Sequence, residues 1–366
     1  MKLGIYGYDL SIAANKVAKA IATKSTNPIL ECIKIATSGD YAVFTATDLD
    51  IGIEVRVKCE VFEEGETVVV GKTFVEFANK LSELDYVELE SNGKQVKVCC
   101  GKVKIALSTM DCNKFPKVLI GQDENSFVIS SKELKSIVGA TTFACATDEA
   151  RPILKGCLFE VNGNTLNVCS LDGFRLALKT CCIENTKNNV KSIIPARSLL
   201  ELLRLIEDEE YIKLLFSNNT LSIKTKETIF TARLLNGDFV NYKALLSTPK
   251  HYTVKVNKEK LIYSLDRLSI LAKLSNNVVR CTLENGSLAL TTNNDLGNAE
   301  DIIDVDYNDK KIELCFNYKY IVDCLKVIED EFVNICFGKD SNSPFFVCPI
   351  DNGDYEYMIL PMRISA

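Results

Sequence analysis

Three stretches decide the fold: Thr67-Val-Val-Val-Gly-Lys-Thr-Phe-Val-Glu-Phe-Ala78, Ser192-Ile-Ile-Pro-Ala-Arg-Ser-Leu-Leu-Glu-Leu-Leu203 and Ile312-Glu-Leu-Cys-Phe-Asn-Tyr-Lys-Tyr-Ile-Val-Asp323. Each is a short β-prone run that turns directly into a helical pattern, with apolar residues three and four apart. Taking Lys72, Ala196 and Asn317 as equivalent, the copies lie 124 and then 121 residues apart. A second series also reads as strand then helix: Leu3 to Asn15, Phe127 to Val138 and Tyr252 to Ile262. A third landmark, Pro28, Pro152 and Val278, steps by 124 and 126. Agreement of several landmarks at one period marks tandem copies of a single unit.

Between the landmarks lie paired strands. Ser38-Gly-Asp, Asn162-Gly-Asn and Asn285-Gly-Ser are hairpin turns, because Gly and Asn tolerate positive φ. Each hairpin runs on to a further polar break, at Thr47-Asp-Leu-Asp, Leu171-Asp-Gly-Phe-Arg and Asn293-Asn-Asp-Leu. Runs such as Val87-Glu-Leu-Glu and Val96-Lys-Val-Cys alternate, as expected of antiparallel sheets with one solvated face. The fold class is therefore α+β: three tandem domains, each with two helices packed on antiparallel sheets of about eight strands in all. The expected boundaries are 1–122, 123–248 and 249–366, with polar links near Gly121-Gln-Asp-Glu-Asn and Ser247-Thr-Pro-Lys.

Composition narrows the function. With 366 residues, 47% hydrophobic and 25% charged, the chain is long enough for several domains. No apolar run approaches the ~18–20 residues that span a bilayer. Met1-Lys-Leu-Gly-Ile-Tyr-Gly-Tyr-Asp-Leu-Ser lacks the apolar core and cleavage site of a secretory leader. The expectation is a soluble, cytoplasmic protein with no membrane partner. The fifteen cysteines are odd in number, scattered and free of CxxC spacing, so they read as reduced core residues. With one histidine, His251, and no ligand spacing, neither a metal nor another cofactor is expected.

The net charge of −6 argues against general affinity for nucleic acid. It is unevenly spread. The expected helices, near 9–22, 73–84, 131–145, 197–206, 258–274 and 317–328, hold 13 basic and 8 acidic residues. Two readings fit: lysines scattered over solvated helices, or helices that share a positive face able to attract phosphates.

The residues Pro28-Ile-Leu, Ala46-Thr-Asp-Leu-Asp, Leu107-Ser-Thr, Ala150-Arg-Pro-Ile-Leu-Lys-Gly, Leu171-Asp-Gly-Phe-Arg-Leu-Ala, Phe316-Asn-Tyr-Lys-Tyr and Leu360-Pro-Met-Arg-Ile bring a family into view. In this order, on this period, the chain resembles the beta subunit of bacterial DNA polymerase III, the sliding-clamp family, over essentially its whole length. The resemblance implies a non-catalytic protein that forms a head-to-tail, ring-shaped homodimer. Such a ring encircles duplex DNA without sequence specificity and is opened by a clamp loader. Twelve helices spaced ~9 Å apart would line an opening of roughly 24 Å, enough for a duplex.

The resemblance also implies a hydrophobic cleft that takes short peptides from the polymerase alpha subunit, the loader, other polymerases and repair proteins. Carried over by motif, the second domain supplies Leu154, Leu171, Gly173, Phe174, Arg175 and Leu176, followed by Val240 and Leu245. The third supplies Asn317, Tyr320, Pro344, Val347 and Met358, then Leu360, Pro361, Met362 and Arg363. Read from the residues alone, most of these are ordinary core positions. Phe174 stands where several relatives carry His, Val240 where many carry Pro, and Ala244 where some carry Arg, which implies a more apolar cleft and an altered peptide preference. For DNA contact the resemblance points to Lys24, Lys72, Lys80, Arg151 and Arg197, although Pro152 and Ile153 replace tyrosines found in some relatives. For the subunit seam it points to Ile105 and Leu107 against Leu274, with Lys273 replacing an apolar residue.

Two rivals stay open at this level. An enzyme would need a nucleophile with a base in reach. The carboxylates Asp48/Asp50 and Asp208/Glu209 read instead as turn and surface residues, and no phosphate-binding glycine motif is present. A repeat scaffold that binds only proteins is the other rival.

Overall fold

The structure, a computed structural model, describes residues 1–83, 86–118, 125–183, 189–208, 211–217, 219–351 and 353–363. The expected boundary at 122/123 and Glu209 lie outside them. Seven α-helices are described: α1 (Gly7–Ala18), α2 (Gly71–Leu81), α3 (Ser131–Gly139), α4 (Ala196–Leu203), α5 (Tyr242–Leu246), α6 (Lys258–Ala272) and α7 (Tyr318–Val327). Six fall where the helical periodicity places them. The seventh, α5, is a single short turn that Asn241 starts, its side chain accepting from the Ala244 amide.

The repeat is visible in the local chemistry. Gly39, Gly163 and Gly286 all have positive φ, as the three hairpin turns require. The polar breaks are one recurring turn: Asp48 Oδ1 accepts from the Asp50 and Ile51 amides, Asp172 Oδ1 from Phe174 and Arg175, and Asn294 Oδ1 from Leu296. At its tip Leu49 adopts φ 76° where the second copy has Gly173 at 96°. Asp48 is thus a turn residue, as its sequence context indicates. Pro28–Glu31 and Pro152–Lys155 are matching 3-10 turns, each with proline at its start.

By contacts the chain divides into two compact units: Met1–Ser131 with Arg197–Leu234, and Lys132–Ala196 with Leu235–Ala366. The second sequence copy is shared between them, because sheets run from one copy into the next. In the first unit a 13-stranded sheet joins Thr228–Arg233 to Ile51–Lys58, with Phe230 opposite Ile53. Helices α1 and α2 cover part of it. Phe74 and Ala78 face inward, and Ser11 and Asn15 hydrogen-bond to Asn79. In the second unit an eight-stranded sheet joins Arg175–Cys182 to Tyr355–Ile359, with Ala177 opposite Tyr357. A separate four-stranded sheet ends in Gly297–Asp304, which among the described residues pairs only with Ser287–Asn294. Helix α6 packs on those two strands through Leu261, Leu265 and Leu268. Each such buried side chain contributes roughly 2 kcal/mol of transfer free energy.

The last strand of each copy continues past its sheet partner to bridge the strand that precedes the second helix. Met110 pairs with Val68, Leu235 with Ile193, and Met362 with Cys315. Those steps match the period of the sequence.

Candidate functional site

The second unit holds an apolar cluster on one face of its eight-stranded sheet. Leu154, Leu158, Leu171, Leu176, Phe346 and Met358 form its floor, and Leu176 and Met358 are directly paired across strands. Residues 235–250 cross this face, with Phe239, Leu245 and Leu246 packed against it. Tyr242 pins that crossing segment: it is buried, and its hydroxyl donates to Glu160 at 2.7 Å. Lys243 sits 2.7 Å from the same carboxylate. Burial alone would raise Glu160, but hydrogen bonds from Lys243 and Tyr242 outweigh it and hold the carboxyl below its ordinary value.

The rim is built at the Asp172 turn. Arg175 leaves that turn with every guanidinium nitrogen engaged: Nε on Asp172 at 3.0 Å, Nη1 on Asp323 at 2.6 Å and Nη2 on the Phe143 carbonyl at 2.7 Å. Its Cζ lies 4.7 Å from the Tyr320 ring centre, and Phe174 stacks on Tyr320 at 6.3 Å. The Leu360 amide donates to the Phe174 carbonyl, tying the C-terminal segment to the turn.

The candidate peptide residues therefore separate into classes. Leu154, Leu171, Leu176 and Met358 are buried floor, while Phe174, Val240 and Leu360 are exposed apolar groups at 61%, 41% and 37%. Leu245, Pro344, Tyr320, Pro361 and Met362 are half-buried, and Gly173 and Arg363 are exposed. Asn317 is the N-cap of α7, accepting from Lys319 N. Met362 serves the Cys315 bridge. Val347 is not brought to this cluster. Its side chain points to the other face of the sheet, into the core with Val256 and Leu325, because successive strand residues alternate. Phe346, which the sequence reading did not name, belongs to this cluster instead. Asp323, Tyr242 and Glu160 were also unnamed, since their roles depend on partners distant in sequence.

Of the candidate DNA-contacting residues, Lys24, Lys72 and Lys80 are exposed in the first unit, the last two on α2. Arg197 is exposed there but ion-paired with Asp48 at 2.7 Å. Arg151 belongs to the second unit and lies against the Asp172 turn, its Nη1 3.7 Å from where a Cβ on Gly173 would stand. Ile105 and Leu107 lie on Val103–Met110, and Lys273 and Leu274 follow α6, with Leu274 62% exposed. Among the described residues no cluster of three or more His, Cys, Asp or Glu could hold a metal ion, and no helix is long and apolar enough to cross a membrane.

Comparison with known proteins places this architecture. Models of the DNA polymerase III beta subunit match in sequence order: the N-terminal domain over residues 1–119, the central domain over 128–241 and the C-terminal domain over 243–363. The beta sliding clamp of Pseudomonas aeruginosa is 30% identical over 354 residues, covering 95% of this chain and 96% of that protein. The chain belongs to the DNA polymerase III beta subunit family. That family is the sliding clamp, a non-catalytic processivity factor of the polymerase. The Haemophilus influenzae beta sliding clamp is 29% identical over the full length of both chains. The crystal structure of the Bacillus subtilis sliding clamp matches with a TM-score of 0.95 at 27% identity, covering 100% of both chains. A Pseudomonas aeruginosa clamp crystallised with griselimycin matches at 0.93 and 30%, again covering 100% of both.

Proposed function

We propose that two copies of this chain close head to tail into a ring that slides on duplex DNA in the cytoplasm and tethers the replicative polymerase. The observation that carries this reading is one strand edge at each end of the repeat that is unused among the described residues. The last strand of the second copy pairs with Ile51–Lys58 and that of the third with Arg175–Cys182. The matching strand of the first copy, Val103–Met110, pairs with Gln95–Cys100 on one side, and on the other only at Thr109 and Met110. Gly297–Asp304, the third-copy counterpart of Ile51–Lys58 and Arg175–Cys182, is likewise open. One complementary edge of each kind per chain is what a heterologous, closing contact requires.

The repeat also supplies a register for that contact. Phe230 faces Ile53 and Tyr357 faces Ala177, so Ile105 faces Ala299 and Lys104 faces Glu300 of the second chain. Exposed Ile270, Leu274, Leu296 and Ile302 lie on or beside the same edge and would be covered. Around the DNA, Lys24, Lys72 and Lys80 are the phosphate-contacting groups, with Arg151 and Arg197 contributing less because of their placement. Partner peptides from the polymerase alpha subunit, the clamp loader, other polymerases and repair proteins would enter above the Leu176–Met358 floor, between Phe174, Val240 and Leu360. The decisive test is retention on DNA after a high-salt wash. A ring stays on circular DNA and runs off linear DNA, whereas a protein-only scaffold is lost from both.

A further inference from the structure

The sheet face beneath the cleft has a counterpart in the third copy, and its chemistry is reversed. Asn294 accepts at the turn where Asp172 accepts one copy earlier. Cross-strand pairs fix the remaining equivalences. Leu171 faces Leu176 and Cys169 faces Leu178, as Asn293 faces Asn298 and Thr291 faces Glu300. Leu158 stands between Cys169 and Ile193, as Arg280 stands between Thr291 and Cys315. Each counterpart lies 122 residues further along the chain.

All six second-copy residues belong to the apolar cluster beneath residues 235–250. All six third-copy residues line an open cavity of about 640 Å³, together with Ser275, Asn276 and Arg363. Leucine has become arginine, asparagine or glutamate at every leucine position of the set. Two guanidinium groups, Arg280 and Arg363, share this lining with one carboxylate, Glu300, and with the amides of Asn276, Asn293 and Asn298. All of these side chains are exposed. Glu313 holds Arg280 Nη1 at 3.3 Å but also lies 4.0 Å from Lys311, so it does not neutralise Arg280 alone.

We propose that this cavity is a second peptide site, which takes an acidic extended segment. Arg280 and Arg363 would receive its carboxylates, since the planar guanidinium fork matches a carboxylate. The asparagine amides would meet its backbone. An apolar peptide of the kind suited to the Leu176–Met358 floor has no anchor here, because it would desolvate charged groups without pairing them. The site borders Gly297–Asp304, which gives it a link to assembly that rests on the ring reading. Lys104 of the partner subunit would engage Glu300, the one carboxylate of the lining, and leave the cavity cationic. A peptide that prefers the closed ring then tightens the dimer by the same factor.

The test titrates the full-length protein at low salt into a labelled peptide of alternating Glu and Ser, followed by fluorescence anisotropy. The same peptide with Lys in place of Glu is the control. The Glu peptide should bind and the Lys peptide should not. Arg280→Gln should weaken binding at least about tenfold and Asn298→Leu severalfold, while Phe174→Ala, which acts on the cleft, should leave it unchanged. Asn298 is exposed, so its variant carries the test if Arg280→Gln fails to fold. No binding, equal binding of both peptides, or full affinity in folded Arg280→Gln overturns the proposal. Displacement by pyrophosphate or free glutamate at the peptide's own concentration would make this a small-anion site and overturns the peptide reading. In sedimentation velocity, saturating Glu peptide should lower the dimer dissociation constant severalfold. Bound peptide with an unchanged constant overturns the link to assembly. If no dimer forms with or without peptide, the ring reading is what fails, and the titration still decides the site.

Discussion

The Arg175 guanidinium sits 2.6 Å from the Asp323 carboxylate, joining a strand of the second sequence copy to α7 of the third. With Asp172 and the Phe143 carbonyl also engaged, every guanidinium nitrogen of Arg175 already has an internal partner. It is mostly buried, so its loss strands a carboxylate and a carbonyl. Arg175→Ala should cost about 2–4 kcal/mol in urea unfolding, and Asp323→Ala about 1 kcal/mol because Asp323 is more exposed. A loss of peptide affinity without loss of stability would give Arg175 a direct binding role instead.

Floor and rim of the cleft should respond oppositely. Leu176→Ala and Met358→Ala open cavities in a packed cluster and should each cost about 2–5 kcal/mol of stability. Phe174→Ala, Val240→Ala and Leu360→Ala remove exposed groups and should shift stability by no more than about 0.5 kcal/mol. Their effect belongs to recognition, with peptide affinity falling about tenfold or more for Phe174, as measured by fluorescence anisotropy. Equal stability losses in both sets would mean that the rim is structural.

How much of this was legible depended on whether the deciding partner was local. Gly39, Gly163 and Gly286 announced their turns because positive φ restricts the residue type at the position itself. Asp48 and Asp172 announced theirs because an Asx side chain bonds its own backbone two residues on. The pairing of Thr228–Arg233 with Ile51–Lys58 left no such mark, since its partner lies more than 170 residues away. Val347 was misplaced for a related reason. Phe345, Phe346 and Val347 are all buried, so the strand has apolar faces on both sides and no alternation to tell them apart. The buried acceptor of Tyr242 was equally hidden, because Glu160 lies 82 residues from it.

Glu160 gives the pH dependence. Its folded pKa lies below that of the unfolded chain, so its contribution is complete above the unfolded value, near 4.3 for an ordinary glutamate. The contribution is lost as pH falls through the lower, folded value. Wild-type stability should therefore decline on the acid limb below about pH 5, and Glu160→Gln should flatten that limb while lowering the neutral plateau. Because Tyr242 and Lys243 hold the segment that crosses the cleft, limited proteolysis near residue 240 should rise in the same acid range. An unchanged acid limb in Glu160→Gln would assign the effect to other carboxylates.

The open edges give the sharpest test of assembly. In the proposed register, Lys104 of one chain would face Glu300 of the next, and both are exposed in the single chain. Directly opposed strand charges contribute roughly 0.2–1 kcal/mol when opposite in sign and destabilise when alike. Lys104→Glu alone, or Glu300→Lys alone, should therefore raise the dimer dissociation constant severalfold in sedimentation velocity, and the double variant should restore it. Ile105→Asp buries a charge at the same edge and should leave monomers at micromolar concentration, with no double variant to rescue it. Thermal unfolding of each variant separates loss of assembly from loss of fold. Restoration by the paired charge reversal is the outcome that a register shifted by one residue cannot produce, because it would move Glu300 out of line with Lys104.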